Sequence, residues 1–245
     1  MTSAVAGRVH RRVGGHRGLV LGLLVLGSAL SSHAGAADSS EFWPELSAFV
    51  AMTPQTRVYL DASYSRDKES SNRSLDASAF LDVSIAPVLR KELRTEDWQR
   101  SRFLWTRVGY TRAFKSSDGG PTSVAEDRLS TALYAKGELP GEVWIEGRAR
   151  VDLRWIGGDF SSRERFRLEA NREFTVLDHS VAPYMQAEAL YDTRYHAWAR
   201  MLYQPGVEIT LDPHFRIELY VARQVDRLPT NQSLNALGVV AKWYY

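Results

Sequence analysis

The residues that come nearest to a nucleophile and its base are His179 and Ser180, which are neighbours in the segment LDHSV. Such a pair could hydrolyse an ester if the imidazole lay within hydrogen-bonding reach of the serine hydroxyl. Adjacent residues on a strand, however, point to opposite faces. His196 has Asp192 nearby but no serine, and His214 lies in a short predicted turn. With no cysteine and no histidine cluster at metal-ligand spacing, we predict no catalytic residue, no metal and no cofactor.

Charged and apolar residues alternate along most of the chain, most clearly over residues 142–155, EVWIEGRARVDLRW. The even positions are charged except for Trp144, and the odd positions are apolar or glycine. A period of two predicts a β-strand with two chemically different faces. This segment spans 14 residues, whereas strands of soluble proteins run about 5–6 and tilted membrane strands about 9–11. The length favours a strand that crosses a membrane.

Eleven candidate strands follow Phe42, separated by segments that alternate between short and longer polar ones, residues 157–162 (GGDFSS) being one of the longer. Tight turns at one end and longer loops at the other are typical of outer-membrane barrels. Such barrels normally have an even number of strands, so we predict about 12, with part of one hidden in residues 90–101; ten strands is the alternative. The predicted fold is a single all-β domain, an antiparallel up-and-down transmembrane β-barrel.

The two-faced strands leave a choice of solvent for the apolar face. In a soluble barrel that face fills the core, and in a membrane barrel it meets lipid. Three features favour a membrane barrel whose apolar face contacts lipid. They are the long strands, the aromatic residues at strand ends and the small residues on the apolar face. Aromatic residues of this kind are Trp43, Trp155, Tyr191, Trp198, Trp243, Tyr244 and Tyr245. A soluble periplasmic β-barrel that binds an apolar ligand is the alternative.

The first 36 residues have the character of a cleaved secretory signal peptide. They contain arginines and no acidic residue, and an apolar run from Leu19 to Leu30 precedes the sequence Ala34-Gly35-Ala36. A charged region, a short apolar region and a small-residue cleavage site define such a leader. We therefore predict a barrel domain over residues 37–245 in the outer membrane of a Gram-negative bacterium. The charge of this part is nearly balanced, which gives no support to a nucleic-acid partner.

The charged face of the strands is predicted to line the barrel lumen. Its residues are Glu146, Arg148, Arg150, Asp152, Arg154, Arg163, Arg165, Arg167, Glu169, Glu188, Arg200, Glu208, Arg216 and Glu218. A balanced set of charges suits a narrow lumen that pairs its own ions, and a wide selective pore would show an excess of one sign. We predict a non-enzymatic barrel, either structural or a narrow conduit for a small polar or anionic solute. An outer-membrane lipid- or lipopolysaccharide-modifying hydrolase is the alternative from another class.

Several segments also resemble the domain of unknown function 2490 family of bacterial barrel-like proteins. They are EFWPELSAFV (41–50), RERFRLEANREF (163–174), APYMQAEALYDT (182–193), RMLYQPGVEITLDPHFRIELYVARQ (200–224) and the closing NALGVVAKWYY. The resemblance implies an outer-membrane β-barrel of unassigned activity, and it transfers no catalytic residue. Residues 90–101 depart from the tight turn that is usual in the family.

The chain ends on a strand whose alternate residues run to Trp243 and Tyr245. A closing strand of this kind would place its aromatic end at the membrane interface. By resemblance to outer-membrane barrels, Trp243 and Tyr245 look like the signal that the barrel assembly machinery reads. The predicted partners are therefore outer-membrane lipid, the assembly machinery and a small polar or anionic solute.

Overall fold

The computed structural model describes residues 39–67, 73–85, 98, 102–116, 124–228 and 231–245. The predicted leader lies outside these residues, as does the 90–101 segment apart from Trp98. The strands are β1 (Ser39–Ala51), β2 (Thr56–Asp67), β3 (Arg73–Ser84), β4 (Leu104–Ser116), β5 (Val124–Leu139), β6 (Val143–Ile156), β7 (Asp159–Arg172), β8 (Phe174–Val176), β9 (His179–Asp192), β10 (Ala197–Asp212), β11 (Phe215–Asp226) and β12 (Gln232–Tyr244). Within the described residues, no helix has the length and apolar character needed to cross a membrane.

The sheet closes on itself as a β-barrel of 11 strands, and the short β8 is an extra strand that pairs with β9 beyond the end of β7. The prediction of a purely antiparallel barrel with an even number of strands was therefore wrong. With an odd number, the first and last strands run in the same direction, and β1 pairs with β12 in parallel, from Ser39 opposite Leu234 to Phe49 opposite Tyr244. All other neighbours are antiparallel.

The two ends of the barrel serve as reference points below. The upper end is where β2, β4, β6, β9 and β11 finish, and the lower end is where β12 finishes at Tyr244. The predicted longer loop at residues 157–162 is wrong, because Gly157 and Gly158 alone connect β6 to β7. Both glycines have positive φ, 60° and 98°, which a two-residue hairpin turn requires and glycine adopts without steric cost.

The polarity of the barrel is inverted relative to a soluble protein. Its largest fully buried side chains are all polar or charged: Arg154, Glu126, Thr111, Asp82, Asp152, Asp192 and Ser47. Large apolar side chains are instead exposed on every one of the strands, from Phe42 on β1 to Leu237 on β12. Soluble monomers rarely expose continuous apolar surface on this scale. An apolar belt therefore surrounds a charged interior.

Exposed and half-buried aromatic residues are grouped near both ends of the strands. At the upper end Trp155 packs against Phe160, and Trp198 against Tyr191, with ring centroids 5.4 and 5.7 Å apart. At the lower end Phe215 packs against Trp243 at 5.0 Å. Two of the predicted girdle residues face the other way and correct that prediction: Trp43 packs against an interior apolar cluster and Tyr244 lines the lumen.

Three glycines let aromatic rings lie flat against the inner wall: Gly109 under Phe80, Gly206 under Tyr184 and Gly238 under Tyr220. Each aromatic residue is the direct cross-strand partner of its glycine. A Cβ added to Gly238 would lie 2.0 Å from the Tyr220 ring. These positions therefore need glycine for close approach, and the rings in turn cover the exposed backbone, a known device in β-sheets.

Candidate functional site

A cavity of about 480 Å³ occupies the lumen. Ten of the predicted lumen residues line it: Glu146, Arg148, Arg150, Arg165, Arg167, Glu169, Glu188, Glu208, Arg216 and Glu218. Asp152, Arg154 and Arg163 are held in ion pairs in the barrel interior beside it. Arg200 pairs with Asp226 and is partly exposed. The volume lies within the range of small-molecule sites, about 300–1,000 Å³.

A buried ion-pair cluster fills one side of the upper end of the lumen. Arg154 is 1 % exposed and binds Glu126 through Nε and Nη2, the second at 2.7 Å, while its Nη1 lies 3.5 Å from Asp192. Asp192 also accepts from Arg163 and Arg194, both at 2.8 Å. The hydrogen bond to Asp192 raises the pKa of Arg194, which lies in the turn after β9. The cluster ties β5, β6, β7 and β9 together.

An apolar cluster lies in the interior on the far side of the barrel from the ion-pair cluster. Tyr220, Ala222, Ala236 and Val240 form a buried cluster, against which Trp43, Tyr184, Leu202 and Leu234 pack. These side chains come from β1 and β9–β12. Tyr184, Leu202, Tyr220 and Val240 of this cluster also line the cavity.

Arginines from β6 and β7 dominate the middle of the cavity. Arg148 and Arg165 both donate to Glu188, and Arg167 donates to Glu146 at 2.8 Å. Glu188 is thus shared by two guanidinium groups. The Nε atoms of Arg148 and Arg167 are buried without a hydrogen-bond partner in the described part of the chain, which is an unusual condition for a charged donor.

At the lower end, two guanidinium groups share one carboxylate. Arg57 and Arg107 both bind Asp82, at 2.8 and 2.6 Å. The Arg57 guanidinium lies 4.1 Å from the centroid of a Trp98 ring and 4.5 Å from that of Phe49, both within cation–π range. Trp98 is the described residue of the 90–101 segment, and it packs inside the barrel and not at a surface turn.

Sequence reasoning missed Tyr134 as a site residue. Its side chain is 3 % exposed and lines the cavity, and no described residue forms a hydrogen bond with its hydroxyl. Its ring centroid is 5.3 Å from the Arg107 guanidinium and 6.0 Å from that of Arg167. The alternation of Ser130, Ala132 and Tyr134 with apolar Leu129 and Leu133 could have identified it.

A pair of carboxylates on the opposite wall, Glu45 and Asp61, was also missed. Ser47 is 2 % exposed and its Oγ lies 3.0 Å from Glu45 and 3.2 Å from Asp61. Tyr59 donates to Asp61 at 3.0 Å. Among the described residues, no lysine or arginine forms an ion pair with either carboxylate. The alternation of Arg57, Tyr59 and Asp61 with Val58 and Leu60 was the available signal.

The lining charges are separated around the barrel. Seven of the ten lining cations lie on the consecutive strands β4–β7: Arg107, Arg128, Lys136, Arg148, Arg150, Arg165 and Arg167. Six of the nine lining carboxylates lie on the other strands: Glu45, Asp61, Asp76, Glu188, Glu208 and Glu218. The lining cations and carboxylates are nearly equal in number. Most of the cations nevertheless lie on one side of the lumen, the cationic wall, and most of the carboxylates lie on the other side, the anionic wall.

The hydrolase candidates are not brought together. Ser180 lines the cavity and donates to Glu173, whereas His179 is exposed, with Nδ1 3.3 Å from the Thr210 carbonyl oxygen. His214 Nδ1 lies 2.7 Å from the Tyr244 carbonyl oxygen. In the described part of the chain, no three His, Cys, Asp or Glu side chains are grouped as metal ligands.

Comparison with known proteins gives no family assignment: no family model matches the chain, and no curated protein matches it. The resemblance to the domain of unknown function 2490 family stays a prediction.

Proposed function

We propose that this protein is an outer-membrane β-barrel whose lumen binds a small polar or anionic solute. The observation that carries the proposal is the inverted polarity, with ionised side chains buried inside and apolar side chains exposed on every strand. In water this arrangement would be doubly unfavourable, because apolar surface stays hydrated while charges are desolvated. In a bilayer the same belt would lie against lipid.

The cavity supports binding over a wide conducting pore. The buried cluster of Glu126, Arg154 and Asp192 occupies part of the upper end. The cavity has room for a small molecule, and its wall includes Arg148 and Arg167, each of which has a buried Nε without a hydrogen-bond partner among the described residues. If the buried ion-pair cluster rearranged, the cavity would become part of a narrow conduit. Binding and conduction would then use the same lumen.

Cysteine labelling tests the membrane location and the accessible lumen together, because the chain has no native cysteine. Ser63 lines the cavity, and its neighbour Ala62 is exposed on the outer face of β2. We expect Ser63→Cys to react with a small charged methanethiosulfonate reagent in liposomes, and Ala62→Cys to be protected by lipid. The two variants differ by one position on one strand, so each is the control for the other.

The opposite pattern, with Ala62→Cys labelled and Ser63→Cys protected, would overturn the proposal in favour of a soluble barrel. Protection at both sites would indicate a purely structural barrel with a sealed interior. The membrane location has a separate readout, since a folded outer-membrane barrel should migrate differently on a gel before and after boiling and should fractionate with outer membranes.

A further inference from the structure

We infer that the ligand of the lumen is a small zwitterion, with an anionic group that binds beside Tyr134 and an ammonium group that binds Glu45 and Asp61. The inference rests on the proposed function, because it requires a lumen that solute can enter. Either binding group alone would accept a simple ion, and only the two together favour a zwitterion. Three features of the described residues carry it.

The first feature is unused donor capacity on the cationic wall. Tyr134 lines the cavity and its hydroxyl has no hydrogen-bond partner among the described residues, and the buried Nε atoms of Arg148 and Arg167 have none there either. Arg148 lies directly opposite Tyr134 in the β5–β6 pairing, and Arg167 lies opposite Arg148 in the β6–β7 pairing. Buried donors are normally satisfied, so this group is suited to an incoming carboxylate or other oxoanion, for which arginine is the preferred partner.

The second feature is the position of Glu45 and Asp61, which line the cavity without an ion pair to any described lysine or arginine. The Ser47 hydroxyl contacts both carboxylates, but it has one proton and can donate to only one of them at a time. An ammonium group carries a positive charge and three donors, so it would supply the counter-charge that the described residues do not place in contact with this pair.

The third feature is the relative position of the two groups. Glu45 and Asp61 belong to β1 and β2, whereas Arg148 and Arg167 belong to β6 and β7. In the closed ring of 11 strands these two pairs stand across the lumen from each other. Both groups line the same cavity of about 480 Å³, so one molecule with separated charges can contact both walls. A simple anion or a simple cation would satisfy only one wall.

The experiment titrates the purified full-length barrel, in detergent micelles, with a series of ω-amino acids. Glycine, β-alanine, γ-aminobutyrate and 5-aminovalerate carry the same two charges at increasing separation. Propionate and ethylammonium serve as single-pole probes. By calorimetry we expect one ω-amino acid of optimal length to bind at least about tenfold more tightly than either single-pole probe, since each lost charged contact is worth at least that factor.

Two substitutions assign the poles. Asp61→Asn should weaken binding of the best ω-amino acid by about tenfold and leave propionate binding unchanged, whereas Tyr134→Phe should weaken both. Asp127→Asn and Tyr203→Phe are the matched controls, because both residues lie on the outer face of the barrel. Neither control should alter any affinity.

The outcomes separate this inference from the proposed function. Equal affinity for propionate and the ω-amino acids would overturn the zwitterion and leave an anion site. Binding of none of the probes, with Ser63→Cys still labelled, would refute the inference while the accessible lumen stands. Loss of that labelling as well would refute both. If Asp61→Asn or Tyr134→Phe fails to fold, the probe series with the unsubstituted chain decides the question.

Discussion

Glu126→Gln tests whether the buried cluster at the upper end stabilises the barrel. Glu126 is fully buried and accepts both Arg154 Nη2 at 2.7 Å and Arg128 Nη2 at 2.9 Å. Lys115 Nζ lies 3.6 Å from the same carboxylate. Glutamine has nearly the same shape but removes the charge, and its amide N–H groups would point towards guanidinium donors. Three cations would then be left without their shared carboxylate.

The expected loss in the free energy of unfolding is about 3–5 kcal/mol, the cost of removing one partner from a buried ion pair. Asp226→Asn is the matched control, because Asp226 is paired with Arg200, whose side chain is 36 % exposed. An exposed pair of this kind contributes about 1 kcal/mol or less. High salt should abolish the effect at Asp226 and leave most of the effect at Glu126, because buried pairs are poorly screened.

The assay is denaturant unfolding of each variant in one detergent or lipid, followed by tryptophan fluorescence and by the boiled–unboiled gel shift. Equal losses at Glu126 and Asp226 would contradict the reasoning, since burial would then not determine the cost. A gain in stability for Glu126→Gln would show that the desolvation of this cluster exceeds the attraction among its ions. That result would indicate that the ion-pair cluster serves the function of the barrel and not its stability.

Two further predictions concern the inner wall and the closure of the barrel. Gly238→Ala should cost about 1–3 kcal/mol of unfolding free energy because its Cβ would overlap the Tyr220 ring, whereas Gly147→Ala, with nothing nearer than 4.0 Å, should be tolerated; equal tolerance in denaturant unfolding would contradict the packing argument. Deletion of Tyr245 removes its backbone hydrogen bonds to Phe49 and Ala51 and should reduce the fraction that reaches the heat-modifiable form; normal assembly would remove the support for a C-terminal signal.

The alternation of residue types was sufficient to predict the strand at residues 142–155 and its two faces. Residues 142–155 were assigned to one strand, and β6 spans Val143–Ile156. The charged side chains of this strand, such as Arg148 and Arg150, line the cavity, while Val151 and Trp155 are exposed outside. Alternation of residue types identifies the side chains that share one face of the sheet, because neighbouring residues of an extended chain must point to opposite sides.

Closure could not be predicted in the same way. The pairing of β1 with β12 joins residues nearly 200 positions apart, and either direction of β1 would satisfy its own alternation. The even-number rule describes barrels whose first and last strands are antiparallel; here Ala51 and Tyr245 instead meet at the lower end as neighbours in a parallel pair. A pattern within one strand contains no information about that choice.

The predicted balance of charges shows why a sum over the lumen is a poor guide to its chemistry. The sequence argument considered strands from β6 onwards, where arginines and carboxylates are equal in number and the natural conclusion is a self-neutralised filling. Glu45 and Asp61 lie on earlier strands, whose facing was less clear, and they add carboxylates that no described arginine reaches. Coulomb attraction falls with distance and is strong only for groups in contact. A sum over the lumen therefore does not show which charges are in contact: Glu188 is paired with Arg148 and Arg165, whereas Glu45 and Asp61 form no ion pair with a described lysine or arginine.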